Sequence, residues 1–162
     1  MVYVAFVIDA YSRRILGWRA ATTMRTSLVL DALEQAVWTR EQQGRDHHDQ
    51  LIFHSDAGSQ YTSIAFTERL AEAGVAPSVG TVGDALDNAL AESTIGLFKT
   101  ELIKPRAPWR TVEQVEIATL EWVDWFNHRR LHSAAGDNPP AELEAAHYRQ
   151  HRPHPVPADS SP

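Results

Sequence analysis

Two acids, Asp56 and Glu92, stand in the surroundings best suited to chemistry. Asp56 lies within His54-Ser55-Asp56-Ala57-Gly58-Ser59-Gln60-Tyr61, and Glu92 within Asp87-Asn88-Ala89-Leu90-Ala91-Glu92-Ser93-Thr94. Exactly 35 residues separate them. Two carboxylates from distant parts of a chain can hold divalent cations. Mg²⁺ takes oxygen ligands and keeps several waters, so few protein carboxylates suffice. Two such ions can activate an attacking hydroxyl and stabilise the leaving oxygen in a phosphodiester displacement. Taken singly, each acid has a plainer reading: Asp56 as a turn cap and Glu92 as a solvated helix residue. His54, Ser55 and Asp56 are consecutive, and consecutive strand residues face opposite sides, which argues against a Ser-His-Asp triad built from them.

The flanking elements must position these acids. Leu51-Ile52-Phe53 reads as a buried strand, placing Asp56 at its carboxyl end, where ligands of open α/β sheets bind. Gly58 lets the backbone turn sharply there. A helix from about Asp87 to Ile103 carries Glu92. Upstream, residues 1–8 are β-branched and aromatic, Asp9 to Arg13 are turn-like, and Arg14 to Ala20 read as a return strand, giving a hairpin. Thr26 or Ser27 is expected to cap a helix from about Leu28 to Gln43, with Gly44 ending it. Residues 45–49 read as a polar loop. Thr62 or Ser63 is expected to cap a helix through Ala73, ended by Gly74, before a short strand from Val75 to Val79 and a loop from Gly80 to Asp84. Pro105 and Pro108 break the chain. Thr111 to Arg130 reads as a long helix whose Trp122, Trp125 and Phe126 suit a core, and Asn138-Pro139-Pro140 starts a last short helix. Residues 151–162 read as a disordered tail. The order of elements predicts an α/β fold with a mixed sheet.

Composition bounds the possibilities. The 162 residues suit one domain, and 43% hydrophobic content fits a globular chain. There is no cysteine, so disulfides and thiolate metal sites are excluded. No apolar run reaches membrane-spanning length, so no membrane partner is expected. A net charge of −6 argues against indiscriminate nucleic-acid binding while leaving room for a local basic patch.

The words around the two acids resemble those of the retroviral-integrase-like transposases of the insertion-sequence-3 family. That family shows His-Ser-Asp-x-Gly-Ser-Gln-Tyr around its second catalytic Asp, matched by residues 54–61 with Ala57 at a commonly polar position. It shows Gly-Asp-x-x-Asp-Asn-Ala-x-Ala-Glu before its catalytic Glu, matched by residues 83–92 with Leu86 where an aromatic is frequent. A third match is Trp125-Phe126-Asn127-His128-Arg129-Arg130-Leu131-His132-Ser133, followed by Pro140-Ala141-Glu142. The 35-residue gap is also the family's, and the likeness runs from residue 1 to about 145.

The resemblance implies a ribonuclease-H-like integrase core over residues 1–104, with a C-terminal helical part over 105–150. It implies DNA strand cleavage and joining in transposition, dependent on Mg²⁺ or Mn²⁺ in a two-metal site, with Asp56 and Glu92 as catalytic metal ligands. The partners would be element-end and target DNA, with a full-length transposase or a second copy besides, in the bacterial cytoplasm at the nucleoid. Lys99, seven residues after Glu92 and on the same face of a regular helix, would grip DNA phosphate, as would Arg129 and Arg130 in a basic corner with His132. A solvated lysine is the plainer reading of Lys99. His128 and His132, four apart, could face one way on a helix as zinc ligands, but no third ligand is evident.

The family's first catalytic Asp, in Trp-x-x-Asp-x-Thr, has no counterpart here, and the opening strand resembles the family's second. The resemblance therefore implies an N-terminally truncated transposase fragment, inactive alone, whose lost central strand leaves neighbouring strand edges unpaired. Asp9 could act as a surrogate ligand, although a turn with Ser12 and Arg13 suits it better. The alternative is a non-catalytic remnant that binds DNA or transposase, as an inhibitor or an inert product.

Overall fold

The computed structural model describes residues 2–23, 25–44, 52–55, 64–74, 76–79 and 93–150. Strands β1 (Tyr3–Ile8) and β2 (Ile15–Ala21) form the expected antiparallel hairpin, with Phe6 opposite Trp18 and an irregularity between Val7 and Ile8. Asp9 builds the connection. Its Oδ1 accepts the N–H groups of Tyr11 and Ser12, each at 2.9 Å, and Arg13 takes a left-handed φ of 68°. Short acidic side chains stabilise turns through such local bonds.

Helix α1 (Thr26–Gln42) buries Leu28, Val29, Ala32, Leu33, Ala36, Val37 and Arg40, one face at helical spacing. Its N-cap is Arg25, with no side-chain cap bond, so neither Thr26 nor Ser27 caps it. Gly44 follows its end with φ 69°. This helix lies directly on β2. A Cβ on Gly17 would sit 2.1 Å from the Ala32 carbonyl oxygen, so only glycine permits the contact.

Strands β3 (Ile52–Ser55) and β4 (Ala76–Val79) pair in parallel, joined through α2 (Ile64–Ala73). Parallel strands need such a crossover. Gly74, with φ 74°, ends α2 as expected. Both strand orientations of a mixed fold are present. Among the described residues they form two separate two-stranded sheets, β1–β2 and β3–β4.

Helix α3 covers residues 93–98 and opens into a π-helical stretch at Lys99–Ile103. The sequence predicts a uniform helix here. In that stretch the Lys104 N–H donates to the Lys99 carbonyl five residues back at 2.9 Å, and the Thr100 hydroxyl donates to the Gly96 carbonyl at 2.9 Å. After Pro105 and Pro108, Thr111 caps α4 (Val112–His128) by accepting from the Gln114 N–H. Helix α5 (Pro140–Gln150) closes the described chain.

Two cores result. Phe98, Leu102, Ala118, Trp122, Val123 and Phe126 pack with Ile15 on one side of the hairpin, against Val4, Phe6 and Ile8. Ring contacts run Phe6–Phe98 at 5.1 Å, Phe98–Trp122 at 5.3 Å and Trp122–Phe126 at 4.9 Å. On the other side Val29, Leu33, Val37 and Leu70 pack around Ala5. Alternate residues of β1 thus serve opposite cores, as a pleated strand requires. The first core joins residues from both sides of position 104. The expected loops at 45–49 and 80–84, the start of the Glu92 helix, the cap of α2 and the tail at 151–162 lie outside the described residues. No described helix is long and apolar enough to cross a membrane.

Candidate functional site

Strand β3 runs to Ser55, and the described chain resumes in α3 at residue 93. Asp56 and Glu92 both lie outside the described residues. The structure does describe the cations expected to act beside them, Lys99, Arg129 and Arg130.

Lys99 is exposed and begins the π-helical stretch. Among the described residues a 3.6-residue repeat therefore applies over 93–98 and not through the π-helical stretch. Arg129 follows α4 with a side chain 71% exposed, paired among the described residues with Asp124 at 3.4 Å. Arg130 is built in. Its guanidinium pairs with Glu101 at 2.7 and 2.8 Å and lies 5.9 Å from the ring centres of Trp125 and Phe126. It also reaches His132 Nδ1 at 3.1 Å. Glu101 accepts from the Trp122 indole N–H at 3.1 Å as well, so the π-helical stretch is tied to the end of α4.

The basic corner expected from Arg129, Arg130 and His132 is split, with Arg129 in solvent and the other two turned inward. His132 is buried, edge-on to Phe126 at 4.4 Å, with Nε2 3.3 Å from the Phe126 carbonyl oxygen. Burial pushes its pKa down from the ordinary value, the Phe126 carbonyl opposes, Arg130 adds to the depression, and Glu101 opposes it. Helix α4 ends at His128, and His132 lies beyond it in a bridge to Asn138. The two histidines therefore do not share a helical face, and no group of three potential metal-ligating residues occurs among the described residues.

Asp9 holds its turn and also accepts from Arg40 Nη2 at 2.7 Å. Both of its oxygens are thus engaged in the fold. Arg40 belongs to a buried cluster that sequence reasoning missed. Glu144 of α5 accepts from Arg40 at 2.6 and 3.0 Å, from Arg14 at 3.0 Å and from the Ser12 hydroxyl at 3.0 Å. Burial alone would raise the Glu144 pKa, but the Arg40 bonds and charge, with Arg14 and Ser12, hold it below the usual carboxylate range. The one sequence signal is spacing: Pro140 and Glu144, the two buried residues of α5, are four apart.

Residues 1–85 match the Integrase core domain family, and residues 73–140 match a second model of the same description. The chain belongs to the integrase core domain family. Among its relatives is a protein assigned as the transposase of insertion sequence element IS986/IS6110 in Mycobacterium tuberculosis, 68% identical over 148 residues, covering 91% of this chain and 53% of that one. Another is the transposase InsF of insertion sequence IS3A from Escherichia coli, 30% identical over 144 residues, covering 88% and 48%. These relatives uphold the resemblance to the insertion-sequence-3 family. The chain spans about half the length of the curated relatives it matches. The catalytic core of HTLV-2 integrase, solved in complex with magnesium in a dimeric form, superposes with a TM-score of 0.60 at 18% identity, covering 88% of this chain and 82% of that one. The fold is that of retroviral integrase cores, the ribonuclease-H-like class.

Proposed function

We propose that this chain serves DNA transposition as part of a DDE-type transposase, with Asp56 and Glu92 as two of its metal-binding carboxylates. The observation carrying this reading is that the integrase-core match runs through both acidic words, over residues 1–85 and 73–140. The donor chemistry fits: two carboxylates are hard oxygen ligands suited to Mg²⁺ or Mn²⁺, and Asp56 and Glu92 would hold the ion. When bound, it supplies activation of the attacking hydroxyl and charge neutralisation at the scissile phosphate. Lys99 and Arg129, exposed cations, bind DNA phosphate along the element end and target. Arg130 acts as a positioning residue, holding the end of α4 against Glu101. The work is done in the cytoplasm, where the DNA is.

Asp9 supplies no third carboxylate in this reading, because its oxygens serve the turn and Arg40. The 162-residue chain alone therefore gives no strand transfer on a duplex carrying its element's ends with Mg²⁺. Adding a polypeptide that carries Trp-x-x-Asp-x-Thr restores it. Robust transfer by the chain alone would overturn the two-carboxylate reading. Manganese binding, followed by electron paramagnetic resonance, tests the ligands apart from activity. Asp56→Asn and Glu92→Gln should each weaken it at least tenfold, about 1.4 kcal/mol, whereas Asp9→Asn should not. Unchanged binding in both of the first two variants would refute the ligand assignment. Inhibition of an intact transposase by the chain, without metal binding, would support the non-catalytic alternative.

A further inference from the structure

Cations are unevenly spread along this acidic chain. From Lys99 to Arg110 stand four of them, Lys99, Lys104, Arg106 and Arg110, against one acid, Glu101, in a chain of net charge −6. That acid is already engaged. Its carboxylate takes the Arg130 guanidinium and the Trp122 indole N–H, so it neutralises Arg130 and none of the four. The next acid along the chain, Glu113, sits in the first turn of α4, where the helix dipole favours it. All four cations are exposed, and among the described residues none has an acidic partner.

The backbone makes one track of them. In an α-helix, residues five apart lie about 140° from each other around the axis. The π-helical stretch closes most of that angle. Its Lys104 N–H bonds the Lys99 carbonyl five residues back at 2.9 Å, so one wide turn brings the two lysines to the same side. Beyond Lys104 the chain turns at once, the Ala107 N–H donating to the Lys104 carbonyl at 3.4 Å, and runs on to Arg110 as irregular backbone. That connection is stiff and fastened at both ends. Pro105 and Pro108 fix their own φ. Trp109 packs against the core of Phe98, Trp122 and Phe126, and its indole N–H donates to the Ile103 carbonyl at 3.0 Å. The Arg110 N–H donates to Gln114 Oε1 at 3.0 Å, at the start of α4. Backbone held this way loses little freedom when its cations meet an anion.

The surface chemistry of the track selects its ligand. Trp109, its one aromatic group, is turned inward, and no large apolar side chain is exposed from 99 to 111. Protein partners are anchored by aromatic and apolar groups that become buried, which this surface does not offer. A sugar-phosphate backbone needs only well-placed cations. Lys99 is the first cation after Glu92 in the sequence, so the track begins at the phosphate contact already proposed and leads away from it. We infer that Lys104, Arg106 and Arg110 extend the Lys99 contact into a track for the phosphate backbone of duplex DNA, bound without regard to base sequence. The identity of the polymer rests on the transposition reading, and the contact itself needs no metal.

The probe is a DNA duplex lacking element ends, added to the full chain with a chelator and no metal, and the slope of log affinity against log salt is measured. The triple variant Lys104→Gln, Arg106→Gln, Arg110→Gln should flatten that slope by about 2.7, at about 0.9 for each lost phosphate contact. Its melting and its manganese binding should match those of the parent chain, because the three side chains are exposed and unpaired among the described residues. The charge-keeping variant Lys104→Arg, Arg106→Lys, Arg110→Lys should retain the parent slope. So should Arg25→Gln with Arg149→Gln, which removes exposed cations at the ends of α1 and α5. Polyglutamate at equal charge should not displace the duplex. An unchanged slope in the triple variant overturns the proposal, as does the absence of duplex binding. Equal flattening by the Arg25 and Arg149 pair would trace the effect to total charge, and displacement by polyglutamate would make the track a site for an acidic protein; either refutes it. The two readings fail separately. A flattened slope with manganese binding indifferent to Asp56→Asn and Glu92→Gln sinks the carboxylate assignment alone, and the reverse sinks the track alone.

Discussion

Glu144 is the centre of a buried cluster of charged and polar groups. Three groups from the hairpin and α1 converge on it, and its side chain is only 3% exposed. Glu144→Ala leaves Arg40 buried without its main partner, and breaking a buried pair this way costs about 3–5 kcal/mol. Urea denaturation should show that loss. The pH dependence has a definite sign. Because the Glu144 pKa is lowered in the folded chain, its contribution is complete above the ordinary value near 4.5 and is lost as pH falls below it. His132 acts earlier. Its folded pKa is also lowered, from 6.5, so the unfolded chain binds a proton first and stability declines once pH drops below that value. Midpoints measured from pH 8 to 3.5 should therefore fall in two steps, and His132→Phe should remove the first alone. A single step near pH 4 in the wild-type chain would contradict this assignment.

Among the elements, two of the contacts that fix the hairpin to its neighbours are of different kinds. Asn127 satisfies both main-chain groups of Ile15 in a buried setting. Asn127→Ala orphans them, and a loss of about 2–4 kcal/mol is expected, with Ile15 amide exchange accelerated. Gly17→Ala acts through sterics, since the added carbon meets helix backbone and α1 must back away. Such overpacking costs about 1–3 kcal/mol, and melting should reveal it. Much at this scale was legible in the sequence. The hairpin, α1, α2, β4, α4 and α5 follow from periodicity, glycines and prolines, because those signals act over a few residues. The π-helical stretch was not legible, since a one-residue shift in the hydrogen-bond ladder leaves no mark in residue type or periodicity. Nor was the cap of α1, where Arg25 takes the place favoured for Thr26 or Ser27. The Glu144 cluster joins residues more than a hundred positions apart, beyond any local pattern. The family words around Asp56 and Glu92 named the candidate ligands from sequence alone, and the split of Arg129 from Arg130 needed the packing of Glu101.

For the whole molecule, net charge and local charge oppose each other. A chain of net charge −6 gains DNA affinity only through a few placed cations. Lys99→Gln and Arg129→Gln should each flatten the log–log salt dependence of duplex binding by about 0.9, one phosphate contact apiece, with little change in sequence preference. Arg130→Gln should instead lower stability and perturb Trp122, since its guanidinium serves Glu101. If Arg130→Gln flattened the salt dependence without destabilising the chain, the assignment of Arg129 as the phosphate contact and Arg130 as the strut would be reversed.

The Arg40–Glu144 contact also sets a timetable for synthesis. These partners are 104 positions apart, and at about 5–20 residues per second a ribosome needs roughly 5–20 s to deliver the second after the first. Through that interval the nascent hairpin and α1 carry an arginine whose protein partners are Asp9 and Gln43, with water in the place of Glu144. The emergence of α5 is the event that seals them, so a ribosome stalled before residue 144 displays a chain still open to its surroundings.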